Sequence, residues 1–216
     1  MIVPLTTLYG FWRSTAAWRV RIALRLKQLP HETVLLSLPA GDQNSEAYMA
    51  VNPQGLVPFL RHEDVGVGQS LAIIEYLDEL YPDPLLLPGT ALDRAKARAM
   101  AQLIACDIHP LNNLRVQKYL KAEFGLDQSR VDVWARHWIE PGFQALEAQI
   151  DPQTDYLMGN SVTLPDLCLV PQLYNARRVS TDLTRYPGLL AIEARLADIP
   201  AFSASHPDLQ PDAVPV

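Results

Sequence analysis

The sequence predicts an α/β N-terminal domain, residues 1–84, joined to an all-α C-terminal domain, residues 90–216. Three observations lead there. Strand-like and helix-like apolar periods alternate from Thr6 to Leu77 in the order β-α-β-α-β-β-α. Pro82, Pro84 and Pro88 then break every pattern, so Tyr81 to Thr90 reads as a linker. Beyond it, apolar residues recur at the three-to-four spacing of helices.

Thr6-Thr7-Leu8-Tyr9 reads as the first strand, and Ala16 to Lys27 as a helix with Val20, Ala23 and Leu24 on one face. Glu32 to Leu38 is a second strand, rich in Val and Leu, and a short polar helix covers Ser45 to Ala50. Val57 to Arg61 forms a third strand, and His62-Glu63-Asp64 turns it into a fourth, Val65-Gly66-Val67. So short a link forces an antiparallel pair, which makes the sheet mixed. Ser70 reads as the cap of a helix with Leu71, Ile74 and Leu77 inward.

In the second half, Ala97, Ala101, Ile104 and Ile108 mark one helix, which Pro110 is expected to kink or end. Trp134, Trp138 and Ala145 mark another. Thr163-Leu164-Pro165-Asp166 has the form of a capping box opening a helix that runs through Leu173 to about Ala176. Leu189, Ile192, Leu196 and Ile199 supply a further amphipathic face, and His206 to Val216 reads as an extended tail.

Composition narrows the function. The 216 residues suffice for one large domain or two compact ones. Lys and Arg total 18 against 24 Asp and Glu, a net charge of −6, which argues against a nucleic-acid partner. No apolar run approaches the ~18 residues of a membrane span. Met1-Ile2-Val3-Pro4-Leu5 lacks the basic segment and apolar core of a signal peptide. Cys106 and Cys168 sit in apolar helical patterns and read as buried free thiols in a reducing compartment. The five histidines are scattered, so no metal site is expected.

Five constellations can carry chemistry. Arg13 to Leu24 lies between the first strand and first helix; its hydroxyls either cap the helix or, with free N–H groups, hold an anion or stabilise a thiolate. Pro58 after Val57 is an edge residue or a cis peptide that turns the preceding backbone toward a ligand. Gly68-Gln69-Ser70 opens a helix and offers either a plain cap or a carboxylate site. Cys106 to Arg115 crowds His109, Asn112, Asn113 and Arg115 around a helix-breaking proline. Asn175-Ala176-Arg177-Arg178 ends a helix with adjacent cations, which answer its dipole or face a substrate. The six-residue dinucleotide glycine pattern, a Gly-x-Ser-x-Gly elbow and a His-Glu-x-x-His pair are all missing from the sequence.

Taken together, these stretches resemble the zeta class of cytosolic glutathione transferases, the family of the maleylacetoacetate isomerases. Arg13-Ser14-Thr15-Ala16-Ala17-Trp18-Arg19-Val20-Arg21-Ile22-Ala23-Leu24 is similar to that class's signature, Ser-Ser-Cys-x-Trp-Arg-Val-Arg-Ile-Ala-Leu. Asn52-Pro53-Gln54-Gly55-Leu56-Val57-Pro58, Gln69 to Leu77 and Asp166 to Gln172 match further motifs, and the likeness runs from about Leu8 to Asp212.

The resemblance implies a glutathione transferase fold, with a thioredoxin-like first domain and a helical second domain that binds substrate. It implies a cytoplasmic homodimer with glutathione as cofactor and a small dianionic unsaturated keto acid as substrate. Ser14, with Thr15 beside it, would hydrogen-bond the thiolate. Ala16, Gln43, Val57, Gln69, Ser70, His109, Asn113, Leu114 and Arg115 would line the glutathione site, with Gln43 and Val57 at its cysteinyl part and Gln69 and Ser70 at its γ-glutamyl carboxylate. Arg178 would be catalytic and face the substrate, helped by Arg13 and Arg115.

The implied reaction is cis–trans isomerisation of maleylacetoacetate to fumarylacetoacetate, in the breakdown of tyrosine and phenylalanine. The thiolate adds to the double bond, the bond rotates, and the thiolate leaves. Two positions depart from the family. Ala16 replaces its cysteine, which leaves a sulfur borrowed from glutathione in place. His109 replaces a Gln of animal members and matches the Ile-His-Pro pattern of maleylpyruvate isomerases, the gentisate-degrading alternative; Trp18 favours the maleylacetoacetate branch. A conjugating transferase or a dehalogenase of α-haloacids would use the same thiolate. A non-catalytic relative would lack the glutathione residues, yet Ser14, Gln69 and Ser70 are present.

Overall fold

The computed structural model describes residues 6–214, so the Met1–Leu5 reading lies outside the described residues, as does the tail beyond Val214. The chain divides into two compact units, Met1–Leu86 with Ile199–Val216, and Leu87–Asp198.

The first unit is built on strands β1 (Thr6–Gly10), β2 (Glu32–Leu35), β3 (Phe59–His62) and β4 (Val65–Gly68), with helices α1 (Thr15–Leu26), α2 (Glu46–Val51) and α3 (Ser70–Leu80). The sheet order is β2-β1-β3-β4. β1 runs parallel to β2 and antiparallel to β3, and β3 pairs antiparallel with β4. This is the mixed sheet that the short link at His62-Glu63-Asp64 dictates. Along β1 burial alternates with the two-residue period of a strand, and Leu8 stands opposite Leu60 in the core. β2 is exposed along its whole length and ends at Leu35. Leu36 to Leu38, predicted as strand, lies beyond it, because the chain turns toward Asp42: Ser37 N–H donates to Asp42 Oδ2 at 2.8 Å.

α1 is buried from Thr15 to Leu24, including Arg19 and Arg21. A helix buried all round needs partners for any polar side chain it carries. Lys27, at its end, shows how this is met: its ammonium donates to Asp78 Oδ1 at 2.8 Å, Tyr81 O at 2.6 Å and Pro84 O at 2.9 Å. Three donors find three acceptors, and the end of α1 is tied to α3 and to the chain beyond it. The Asp83–Pro84 peptide bond there is cis, a feature not anticipated from sequence.

Residues 199–216, which the sequence reading groups with the helical domain, cluster with the first unit. Helix α9 (Pro200–Ser203; numbered last in the chain) packs on α1, and His206 meets the Trp18 ring edge-on at 5.3 Å between centroids. The tail is also less extended than predicted, since Pro207–Leu209 forms a 3-10 turn.

The α-helices of the second unit are α4 (Ala91–Gln102), α5 (Leu114–Phe124), α6 (Gln128–Glu147), α7 (Leu164–Arg178) and α8 (Pro187–Ala197). α4 does not simply run to Pro110. Leu103–Ile108 is π-helical and His109–Asn112 is a 3-10 turn. Ile104 and Ile108 are buried, and Cys106, midway between them, lies on the opposite, exposed face. Cys168 is buried as expected; Cys106 is exposed, which corrects the sequence reading. In α6 the buried face is Val131, Ala135, Ile139, Phe143 and Leu146, while Trp138 is exposed. Gly142 is required by close approach: a Cβ there would lie 2.3 Å from Ile108 Cδ1.

Candidate active site

Ser14 takes its place from a four-residue turn after β1. Its N–H donates to Phe11 O at 3.0 Å, and its φ of −69° and ψ of 111° make it the N-cap of α1. The Ser14 Oγ accepts from Ala17 N–H at 3.2 Å. A hydroxyl has two acceptor lone pairs and one proton, so the cap leaves the proton for an outside acceptor. Capping and thiolate binding, posed as alternatives by the sequence, are therefore compatible. The first turn of α1 contains no acidic residue, so the positive end of the helix dipole is not offset there. Thr15 and Ala16 are buried, whereas Ser14 is half-buried. Of the two hydroxyls, Ser14 is the one more open to a ligand.

A second group stands at α3. The sequence reading made Ser70 the cap; the structure makes it the first helical residue, with Gln69 as N-cap at φ +67°. The reason is the sharp backbone reversal at Gln69 between β4 and α3. No side chain caps this helix, so its leading N–H groups can take a carboxylate. Gln69 Nε2 donates to Gln54 Oε1 at 3.0 Å. Ser70 Oγ accepts from Arg19 Nη1 at 3.2 Å, and both residues are buried. A guanidinium thus lies directly behind the hydroxyl.

A third group joins Gln43 to the loop before β3. Gly55 has φ +61°, and a Cβ on it would come within 3.1 Å of Gln43 O and of Met49 Sδ. Only glycine lets these segments meet without displacement. Gln43 Oε1 is buried with no hydrogen-bond partner among the described residues. Asn52 Nδ2 and the Tyr48 hydroxyl both donate to Leu56 O, at 2.8 and 2.6 Å, which fixes the approach to Val57. The Val57–Pro58 peptide bond is cis, as the second of the two sequence readings has it.

Beside the Ser14 turn lies a cavity of about 600 Å³, lined among others by Phe11, Trp12, Arg13, Leu36, Asp42 and Asp212. Arg13 places its guanidinium 5.1 Å from the centre of the Trp12 ring. Its walls are mostly apolar, and its charged groups are Arg13, Asp42 and Asp212.

The remaining residues belong to the second unit. His109 opens the 3-10 turn and is half-buried. Asn113 is the N-cap of α5, its Oδ1 accepting from Arg115 N–H at 3.1 Å, so it carries a local capping duty. Leu114 and Arg115 are exposed in the first turn. These four cluster at one helix start, whereas Arg178 stands at the end of α7. Its neighbour Arg177 forms a two-pronged pair with Glu193, with Nη1 to Oε1 at 2.6 Å. Arg178 is exposed and is not part of that pair.

α7 itself begins with the capping box that the sequence shows. Asp166 Oδ2 accepts from Thr163 N–H at 2.8 Å and from its hydroxyl at 2.9 Å, and Oδ1 accepts from Leu157 N–H at 3.0 Å. Burial pushes the Asp166 carboxyl up to about 6, against the pull of those donors.

Sequence reasoning missed Arg19, Arg21 and Gln54. Trp-Arg-Val-Arg inside an apolar helix was the available signal, since a buried arginine must serve a partner. Among the described residues no group of His, Cys, Asp and Glu could hold a metal ion, and no helix is long and apolar enough to cross a membrane.

Residues 8–85 match the family model for the glutathione S-transferase N-terminal domain. Over 209 residues the chain is 49% identical to the probable maleylacetoacetate isomerase of Vibrio cholerae, covering 95% of this chain and 97% of that one. A holo structure of maleylpyruvate isomerase, described as a bacterial zeta-class glutathione-S-transferase, superposes with a TM-score of 0.94 at 44% identity, covering 96% of this chain and all of that one. The maleylacetoacetate isomerase of Anaeromyxobacter dehalogenans, solved with dicarboxyethyl glutathione and citrate in its active site, superposes at 0.88 with 39% identity, covering 100% of this chain and 96% of that one.

Proposed function

The chain belongs to the glutathione transferases of the zeta class, the family of the maleylacetoacetate isomerases, and on that premise we propose that it isomerises maleylacetoacetate to fumarylacetoacetate with glutathione as cofactor. The observation that carries this reading is Ser14. Its hydroxyl caps α1 through a lone pair and keeps its proton for a thiolate, in a chain 49% identical to a probable maleylacetoacetate isomerase over nearly its whole length.

The residues present fit glutathione. The uncapped start of α3, with Ser70 and the buried Arg19 behind it, suits the γ-glutamyl carboxylate. The Gln43 amide oxygen, buried without a partner, and the Val57 backbone suit the cysteinyl part. When bound, glutathione supplies a thiolate for reversible addition to the conjugated double bond, which can rotate while it is single. Dicarboxyethyl glutathione, bound by the Anaeromyxobacter relative, has the connectivity of a thiol added to a butenedioic acid.

The chain's own residues have three tasks. Ser14 and the positive end of α1 lower the proton affinity of a thiol whose pKa is ordinarily about 8.5. Gln69, Ser70, Gln43 and Val57 hold the cofactor. Arg13, Arg115 and Arg178 meet the substrate carboxylates and the charge that develops on the adjacent carbonyl oxygen during addition. With a net charge of −6, attraction must be local. On the family resemblance we assign His109, Asn113 and Leu114 to glutathione as well. We assign residues 1–84 to glutathione and the helical residues 90–198 to substrate, with residues 199–216 grouped with the first unit, in a cytoplasmic homodimer.

Maleylpyruvate is the second substrate reading, supported by the holo maleylpyruvate isomerase at a TM-score of 0.94 and by His109-Pro110 after Ile108. Purified protein with each diacid, with and without glutathione, tests both. The proposal expects glutathione-dependent conversion with the higher kcat/KM for maleylacetoacetate; a higher value for maleylpyruvate would transfer the assignment. Light scattering should give about twice 24.1 kDa; the single-chain mass would end the dimer claim.

A further inference from the structure

Trp12 is held at both of its backbone polar groups. Its N–H donates to Asp212 Oδ2 at 2.9 Å, across 200 positions of sequence. Its carbonyl accepts from Arg21 Nη2 at 2.8 Å, and the neighbouring Phe11 carbonyl from Arg21 Nη1 at 3.4 Å. Only Arg13 separates this residue from Ser14, whose N–H returns to Phe11 O. The turn that carries the reactive hydroxyl is therefore gripped from α1 on one side and from the segment after Pro207–Leu209 on the other.

The grip is costly to build. Arg21 is buried, and burial lowers its pKa to about 10 while the Asp212 charge acts in the opposite direction. Asp212 Oδ1 is buried with no hydrogen-bond partner among the described residues. Helix capping does not explain a carboxylate half-satisfied in this way, because its bonded oxygen goes to a turn and not to a helix start. Its target is the backbone two residues before Ser14.

We propose that Asp212 is a positioning residue for the reaction assigned to Ser14: by accepting the Trp12 N–H it sets the turn so that the Ser14 hydroxyl faces the glutathione sulfur. The proposal rests on the function proposed above. A turn of four residues outside regular structure has two soft dihedrals per residue, so losing one fixed point lets Ser14 drift. A displacement of about 1 Å at a reacting group can cost about 10²-fold in rate. The groups assigned to cofactor binding at Gln43, Val57, Gln69 and Ser70 stand on other segments. Loss of Asp212 therefore falls on kcat and not on the KM for glutathione.

The test compares Asp212→Ala, Asp212→Ser and Asp212→Asn in the full chain. Three quantities are read: kcat with the glutathione KM, the pKa of bound glutathione from thiolate absorbance, and amide exchange over residues 8–14. Alanine and serine cannot reach the Trp12 N–H; both are expected to lower kcat at least tenfold, keep KM within twofold, raise the thiol pKa and speed exchange at Trp12. Asparagine keeps an acceptor oxygen and is expected to recover most of the lost kcat. Wild-type kcat and thiol pKa in a folded alanine or serine variant would overturn the proposal, as would equal losses in all three variants. A purely structural role would lower Tm without the split between kcat and KM, and would overturn it too. Failure of the functional reading shows elsewhere, as wild-type protein with normal Trp12 protection and no glutathione-dependent turnover.

Discussion

Arg19 donates from Nη1 to the Ser70 Oγ at 3.2 Å, joining a buried charge on α1 to the first residue of α3. The bond orients the hydroxyl: with a donor fixed on its lone pair, its own proton points elsewhere, toward an incoming carboxylate. Ser70→Ala is expected to raise the KM for glutathione about tenfold and leave kcat within twofold, the pattern of lost uniform binding. Equal KM values in variant and wild type, measured under saturating diacid, would remove Ser70 from the site.

Ser14 carries the opposite expectation. Ser14→Ala removes the donor to sulfur and also the cap on Ala17 N–H. Turnover is expected to fall about 10²-fold or more, the scale of an aligned donor, with a smaller effect on glutathione affinity. The cap accounts for about 1 kcal/mol of stability, which a melting curve reads separately. A variant within a factor of two of wild-type turnover would shift the role to Thr15 or to the backbone.

Arg178 and Arg177 separate charge from recognition. Arg177 is engaged by both oxygens of Glu193. Arg178→Lys keeps the charge but loses the planar fork, and the KM for the diacid is expected to rise about tenfold with glutathione affinity nearly unchanged. Arg177→Lys is expected to change neither constant by more than twofold. Unaltered diacid kinetics in Arg178→Ala would move the substrate role to Arg13 or Arg115.

Asp166 gives a pH signature in stability. Its folded carboxyl is raised to about 6, above the ordinary 3.8, so between those values the folded state binds more protons than the unfolded one. The stabilisation from this group is complete below about pH 4 and is lost as pH rises through about 6. Urea unfolding of wild type and Asp166→Asn, compared from pH 4 to 7.5, should show the wild-type advantage shrinking by up to about 3 kcal/mol. An advantage that grows with pH in that window would mean that the three donors on Asp166 outweigh burial.

Legibility followed the kind of interaction. The order of elements along the first domain, the antiparallel pairing of β3 with β4 and the Thr163 box rest on local chemistry, and the sequence shows them in residue types and short spacings; the Val57–Pro58 bond was one of two open readings. That a hydroxyl near Ser14 could cap the first helix was also legible, though not which one. The pairing of Arg19 with Ser70 spans 51 positions, and that of Trp12 with Asp212 spans 200, so no local pattern announces either. The expectation of a buried Cys106 overlooks helical phase: two residues from both Ile104 and Ile108, it faces away from the side that they bury. Ser70 was misread as a cap because the reversal falls one residue earlier, at a Gln with positive φ.

The measurement that bears most directly on the central claim is the fate of glutathione during turnover of maleylacetoacetate. With substrate in large excess over glutathione, an isomerase converts all of it to fumarylacetoacetate and returns the glutathione as free thiol, many turnovers per molecule. No conversion, or one glutathione consumed as a stable thioether for each substrate lost, would contradict the account and make the chain a conjugating transferase or a binding protein.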